Sequence, residues 1–199
     1  MESGYISILK LLLAYSSNAK ETLYRNALLY VHCDSKNPDL LKFLAQRCGL
    51  EINVVDQYNN IALHCAAVSQ SITLVRALLD LGASPTCVNN GNEIALHCVA
   101  KCVLMEEKPI EIAKRLIATG TQFRQQDNFS GTILHIAALE NHIRLAELLL
   151  ARDLDSFDIE STRSYCRGKR PLGIAKSQDN VIMASILYFR CQKVKVIDT

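Results

Sequence analysis

Apolar residues recur along this chain in a paired rhythm. A leucine opens a short helical cluster at Leu29, Leu63, Leu96, Leu134 and Leu172, so successive anchors lie 34, 33, 38 and 38 residues apart. Some eleven to sixteen positions after each anchor comes a second apolar run: LLKFLA, LVRALL, IAKRLI, LAELLL and, more weakly, MASIL. Apolar positions three and four apart mark the buried stripe of a helix. Each unit therefore reads as a helix, a short turn, a second helix and a polar loop. A fixed period of this length indicates a stacked repeat, in which each unit covers its apolar face against the next.

The pentapeptide IALHC is written twice, at Ile61–Cys65 and Ile94–Cys98, and TILHIAAL repeats its frame around Leu134. These residues carry a resemblance. LHCAA (Leu63–Ala67), LHCVA (Leu96–Ala100) and LHIAA (Leu134–Ala138), with LVRALLDLGASP (Leu74–Pro85), resemble the first helix, second helix and exit of ankyrin repeats. Asp56 and Asp127 stand seven residues before their anchors, where that family often has Asp in its β-turn finger. The resemblance covers essentially the whole chain. It implies an all-α ankyrin-repeat solenoid of helix-turn-helix units with β-turn fingers, about five repeats in number with the first partial. The expected division is one domain over 1–199: a partial repeat at 1–20, repeats at 21–54, 55–87, 88–125, 126–160 and 161–192, and a tail at 193–199.

The departures from the family pattern are specific. The Thr-Pro before the anchor is Ile61-Ala62 and Ile94-Ala95 here, so those helices lack the usual proline in their first turn. About five extra residues fall between the helices of the Leu96 repeat, around Met105–Pro109, and a longer loop between Arg152 and Arg167 precedes Leu172. Gly173 and Tyr30 replace the histidine in their repeats. The segment Tyr5–Tyr15 aligns with a second helix alone. With Asn180–Cys191 it is more apolar than a solvent-facing end helix should be, which points to missing chain, a partner or self-association.

Composition narrows the function. Half the residues are apolar, about a fifth are charged, and net charge is +2, so no strong field draws the chain to nucleic acid or membrane. Tyr5–Tyr15 contains Lys10 and is far shorter than the ~20 residues of a spanning helix. Eight cysteines without a Cys-x-x-Cys pair or a signal peptide fit small buried apolar residues in a reducing, cytoplasmic compartment, with a nuclear location left open. There is no Gly-rich phosphate loop.

Several groups could in principle carry chemistry. His64, His97 and His135 recur one repeat apart, roughly the 8–10 Å between packed helices, whereas zinc ligands must converge on one ion. The repeat reading gives the ring a structural role at the start of the first helix, bonded to the backbone of a neighbouring finger. Cys98 and Cys102, four apart, and His32-Cys33 lack the further ligands or orienting group that a metal site or a nucleophilic pair requires. Glu106-Glu107 and the cluster Asp153, Asp155, Asp158, Glu160 read as solvated loops, and Arg163, Arg167, Lys169, Arg170 and Lys176 form a thin basic run suited to an acidic protein patch. No catalytic, cofactor or metal residue is assigned.

The resemblance implies that a partner protein is held through the concave face, by finger tips and the exposed face of the first helices. Those positions are Tyr24 and Asn26; Gln57, Tyr58 and Asn60; Asn90 and Glu93; Asn128 and Phe129; and Arg167 and Lys169. Val68, Lys101 and Leu139 line the adjoining groove, and Val68 and Leu139 are apolar where solvent is expected. The function so implied is that of a non-enzymatic protein-binding module, an adaptor, scaffold or inhibitor. The alternative is a targeting module of a larger enzyme, channel or secreted effector. The expected partner is a protein of unknown identity, with self-association through the apolar end helices; neither nucleic acid nor membrane insertion is expected.

Overall fold

The computed structural model describes residues 41–42, 51–102, 107–152 and 168–197, with side chains up to Arg190. Among them are eight helices: α1 (Ala62–Val68), α2 (Ile72–Asp80), α3 (Ala95–Ala100), α4 (Glu107–Ala118), α5 (Ile133–Leu139), α6 (Ile143–Leu150), α7 (Pro171–Ser177) and α8 (Val181–Ile197). The described residues form no strand beyond one isolated antiparallel bridge, Val55 to Ile61. The architecture is the expected all-α helical repeat. Each first helix begins one residue before an anchor leucine, at Ala62, Ala95, Ile133 and Pro171. The anchor at Leu29 and the segment Tyr5–Tyr15 lie outside the described residues.

The chain divides into two compact units, Met1–Ser84 and Pro85–Thr199. In the first, α1 packs on α2 and buries Leu63, Ala66 and Ala67 with Leu74, Val75, Ala77 and Leu78. In the second, α5 packs against both α3 and α7, while α6 packs against α4 and α8. Within this unit first helices thus form one layer and second helices the other. Alanines at Ala100, Ala137, Ala138 and Ala175 line the first-helix layer and are fully buried. Their small side chains let neighbouring helices approach closely, while Leu96, Leu134, Leu116 and Leu149 fill the space between layers.

The first helices α1, α3 and α5 lack the Ser or Asp that ordinarily caps first-turn N–H groups, whereas α2 begins at Ser71, whose hydroxyl accepts from the Leu74 N–H. Ile61, Ile94 and Thr132 are the N-cap residues of α1, α3 and α5. The histidine three residues on does the work instead. The Ile61 N–H donates to His64 Nδ1 at 3.2 Å, Ile94 N–H to His97 Nδ1 at 3.3 Å, and Thr132 N–H to His135 Nδ1 at 3.2 Å. In return the His64 and His97 N–H groups donate to the Ile61 and Ile94 carbonyls, both at 2.9 Å. All three rings are buried. The sequence led us to expect a bond to the neighbouring finger; Nδ1 serves the ring's own helix start, and at His97 the Gln125 backbone, just before the next finger, acts on the ring as well. In α7, where Gly173 takes the histidine's place, Pro171 sits in the first turn and removes one orphan N–H outright.

Helix ends follow a second local rule. Ser71, His142 and Asn180 each donate a backbone N–H across the end of a first helix, to Ala66, Ala137 and Ala175. The preceding residues Gln70, Asn141 and Asp179 take positive φ between 54° and 56° to allow it. At the end of α2 the same motif uses Gly82 at φ 86°, with Ala83 N–H bonded to the Leu78 carbonyl at 2.9 Å. The insertion expected as a loop around Met105–Pro109 is partly helical. Glu107, Lys108 and Pro109 belong to α4, which reaches twelve residues against nine in α2 and eight in α6. Pro109 is buried and Glu107 pairs with Arg144 of α6 at 3.0 Å, so the added turn is anchored by packing.

Burial pushes the His97 ring down to about 4 from its ordinary 6.5; the charges of Asp127 and Glu93 oppose the shift, Lys101 adds to it, and the Gln125 backbone opposes weakly. His142, also buried, is lowered by burial against Glu140 and the backbone of Cys102 and Ala100. A ring that stays neutral when folded but takes a proton when unfolded costs stability as pH falls. The window opens near 6.5 and closes near 4 for His97. Denaturant unfolding should therefore show the folding constant dropping up to about tenfold per pH unit below about pH 6. In His97→Asn that dependence should flatten, and an unchanged slope would remove His97 from the account. Leu134→Ala should lower unfolding stability by about 2–5 kcal/mol at neutral pH, read from the same denaturation curves.

Candidate functional site

Three turn fingers are described, at residues 56–60, 89–93 and 127–131. Each closes with paired backbone bonds. Asp56, Asn89 and Asp127 donate N–H to the carbonyls of Asn60, Glu93 and Gly131, all at 3.0 Å. Asn59, Asn92 and Ser130 donate back at 2.9–3.0 Å, with φ near 60°. Asn is tolerant of that left-handed conformation.

A side-chain oxygen then fills each turn. Asp56 Oδ1 accepts from the Tyr58 and Asn60 N–H groups at 2.8 and 2.7 Å. Asn89 Oδ1 accepts from Gly91 and Glu93 at 2.8 and 3.1 Å, and Asp127 Oδ1 from Phe129 and Gly131, both at 2.9 Å. Asp127 is almost wholly buried, and the two amides satisfy its charge. Asn89 serves as the neutral version of the same device, which the Asp-based sequence pattern passes over. The result is a stiff turn, with a ring at its centre in two fingers and Gly91 in the third. Tyr58 is 60% exposed and Phe129 46% exposed.

The expected binding residues fall into distinct groups. In the first unit, Gln57, Tyr58 and Val68 are exposed, and Val55 beside them is exposed as well. Val55 did not emerge from the sequence because Val54-Val55 reads as an apolar pair; its bridge to Ile61 turns it outward. Asn60 is partly buried, its amide nitrogen donating to Asp56 Oδ2 at 3.1 Å, so it braces the finger.

In the second unit, Asn90, Asn128 and Phe129 are exposed and Leu139 is half-buried. Two fingers are stitched together there. Asn128 donates its N–H to the Gly91 carbonyl at 2.9 Å and its Nδ2 to the Asn90 carbonyl at 2.7 Å, and Asn92 Nδ2 donates to the Gln126 carbonyl at 2.6 Å. Asn128 is therefore committed to the seam between fingers. Glu93 and Lys101 form an ion pair with each other, which joins the finger to the end of α3. Lys169 is exposed beside Gly168 at φ 69°. Tyr24, Asn26 and Arg167 lie outside the described residues, as do His32-Cys33, the acidic cluster from Asp153 to Glu160, and Arg163.

Cys102 Sγ lies 3.5 Å from the Cys98 carbonyl, one turn back along α3. Cys65, Cys87, Cys98 and Cys102 are half-buried and not in disulfides. Among the described residues no three His, Cys, Asp or Glu side chains converge as a metal site would require. No described helix is long and apolar enough to cross a membrane.

Comparison with known proteins agrees with this geometry. The family model for ankyrin repeats, in three copies, matches residues 1–89 and 96–198. Protein glp-1 of Caenorhabditis elegans is 28% identical over 191 residues, covering 88% of this chain and 14% of that protein. The human B-cell lymphoma 3 protein is 30% identical over 124 residues, 61% of this chain and 27% of the relative. The chicken nuclear factor NF-kappa-B p105 subunit is 27% identical over 171 residues, 85% and 17% respectively. The chain thus spans about a quarter or less of the length of these relatives. With a family model matched over nearly the whole chain, and with paired helices beside each described anchor leucine, buried helix-start histidines and side-chain-filled turn fingers among the described residues, this chain belongs to the ankyrin-repeat family.

Proposed function

We propose that this chain is a non-enzymatic protein-binding module, an adaptor, scaffold or inhibitor, which holds a partner protein with its finger tips and the exposed ends of its first helices. Ankyrin repeats are interaction modules, and the reading rests on one observation above others. Two large rings, Tyr58 and Phe129, stand exposed at the centres of turns held by side-chain oxygens. A rigid, exposed aromatic loses little conformational entropy on binding, which is why such residues dominate the energetics of interfaces. Val55 and Val68 extend the apolar surface in the first unit, and Gln57, Asn90 and Lys169 supply polar contacts. Tyr24, Asn26 and Arg167 belong to the same proposed set by their place in the repeat. Four half-buried cysteines outside disulfides support a reducing intracellular setting, with a nuclear location equally compatible.

A second reading has its own support. Because the chain spans only 14–27% of the relatives, it can serve as the targeting module of a longer protein whose activity lies elsewhere. The surface that binds is the same in both readings.

Tyr58→Ala combined with Phe129→Ala should weaken capture of the partner while leaving the fold intact. A protein recovered with the wild-type chain, once purified, should bind the double variant at least roughly tenfold more weakly by calorimetry. Its thermal melting should stay within a few degrees of wild type, since both rings are exposed. Equal affinity for the two chains would eliminate the finger tips as the binding surface.

A further inference from the structure

The finger at residues 89–93 differs from the other two described fingers in three ways. Its centre reads Asn90-Gly91, the one place in the chain where Asn precedes Gly. The glycine is set by space, since a Cβ there would lie 3.0 Å from Asn89 Oδ1 and 3.2 Å from the Glu93 side chain. The oxygen that fills the turn belongs to a neutral amide, Asn89, where Asp56 and Asp127 supply carboxylates. Its bond from the Glu93 N–H is 3.1 Å long, against 2.7 and 2.9 Å for the matching bonds from Asn60 and Gly131. Asn90 is exposed, so water reaches its side chain. The main chain beside that side chain carries the seam to the next finger: the Asn90 and Gly91 carbonyls accept from Asn128 Nδ2 and the Asn128 N–H.

We propose that Asn90 is a site of spontaneous modification, which deamidates in the folded chain to isoaspartate and thereby unfastens the seam between the fingers at 89–93 and 127–131. The reaction needs only water and base. Gly91 N gives up its proton to solvent base and attacks Asn90 Cγ. A C–N bond forms, the bond from Cγ to Nδ2 breaks, and the amide nitrogen leaves as ammonia with a proton from water. Water then opens the five-membered imide at either carbonyl, to Asp or to isoaspartate. Glycine is the least hindered nucleophile for this ring closure, having no Cβ in the way. Two features of the turn act on the rate. The bond from the Gly91 N–H to Asn89 Oδ1, 2.8 Å, must break before the attack, so the turn slows the step. A carboxylate in the place of Asn89 would hold that proton more firmly, because an anion opposes a second negative charge beside it. The neutral amide therefore leaves this finger the least protected of the three. Isoaspartate routes the main chain through Cβ and Cγ, which adds one atom between the Asn90 Cα and Gly91 N. The Asn90 carbonyl becomes part of a free carboxylate, and the Gly91 carbonyl is displaced from the Asn128 N–H. None of this depends on what the finger tips bind.

The full folded chain, held in mildly alkaline buffer at body temperature, tests this by peptide mass mapping and by methyl acceptance from an isoaspartyl methyltransferase. The expected result is an amide-to-acid mass gain at Asn90 ahead of every other Asn, with methyl acceptance that is lost in Asn90→Gln. Asn90 unchanged in the folded chain, over a time in which the urea-unfolded chain converts it, overturns the proposal. Methyl acceptance undiminished in Asn90→Gln overturns it as well, by placing isoaspartate elsewhere. Asn89→Asp gives this turn the carboxylate that Asp56 and Asp127 supply in theirs. It should slow conversion by about three- to tenfold with an unchanged circular dichroism spectrum. An equal or faster rate overturns the role given to Asn89. Hydrogen exchange of the Asn128 amide reads the seam directly. Its protection should fall in the converted protein, while that of the Asn60 amide in the first unit stays the same. Full protection at Asn128 after conversion overturns the unfastening.

Discussion

A helix of six or seven residues has almost no interior, so its end groups decide whether it forms at all. The first helices here run from Ala62, Ala95 and Ile133 for seven, six and seven residues. Isolated helices that short are unstable in water. Nδ1 of a buried histidine accepts the backbone N–H three residues earlier, and the carbonyl there accepts from the next turn. That bond fixes the angle at which the finger meets the helix. It also requires a neutral ring, since a protonated Nδ1 is a donor and would face an N–H. At His97 burial lowers the ring's pKa, which favours the neutral form and makes that cap a source of acid sensitivity.

The fingers rest on the same economy. Each is built around one side-chain oxygen that receives two backbone N–H groups within its own turn. Two neighbours in the second unit are then sewn together by Asn92 and Asn128. The polar side chains at the fingers are largely consumed in making the scaffold. What remains exposed is the apolar centre of the turn, Tyr58 in one unit and Phe129 in the other. Separating a rigid polar frame from an apolar tip lets the tip change without loss of the frame.

Periodicity, helix pairing and helix starts were all legible in the sequence. Anchors at Leu63, Leu96, Leu134 and Leu172 mark the first helices, because the apolar pattern must recur once per unit when units stack; the first three are buried and Leu172 is half-buried. Gly82, Asp56 and Asp127 were legible through the family resemblance, and the local backbone geometry suits those residue types while also accepting Asn89 in the finger. The extended α4 was not legible. Glu106-Glu107-Lys108-Pro109 reads as an exposed loop, and only the burial of Pro109 and the bond from Arg144 to Glu107 make part of it helix.

The candidate site divides along the same line. Sequence by itself determined which residues occupy finger tips and which are aromatic, because position within a repeat is a property of one chain segment. Tertiary structure alone decided which polar tips are already engaged. Asn128 and Asn90 meet across 38 residues, Asn92 meets Gln126 across 34, and Glu93 turns to Lys101. His142 looks like a polar helix-start residue in the sequence, yet α3 and its exit bury it. A hydrogen bond between repeats depends on how two units are seated against each other. That seating is set by side-chain volumes in a shared core, which no single repeat's pattern contains.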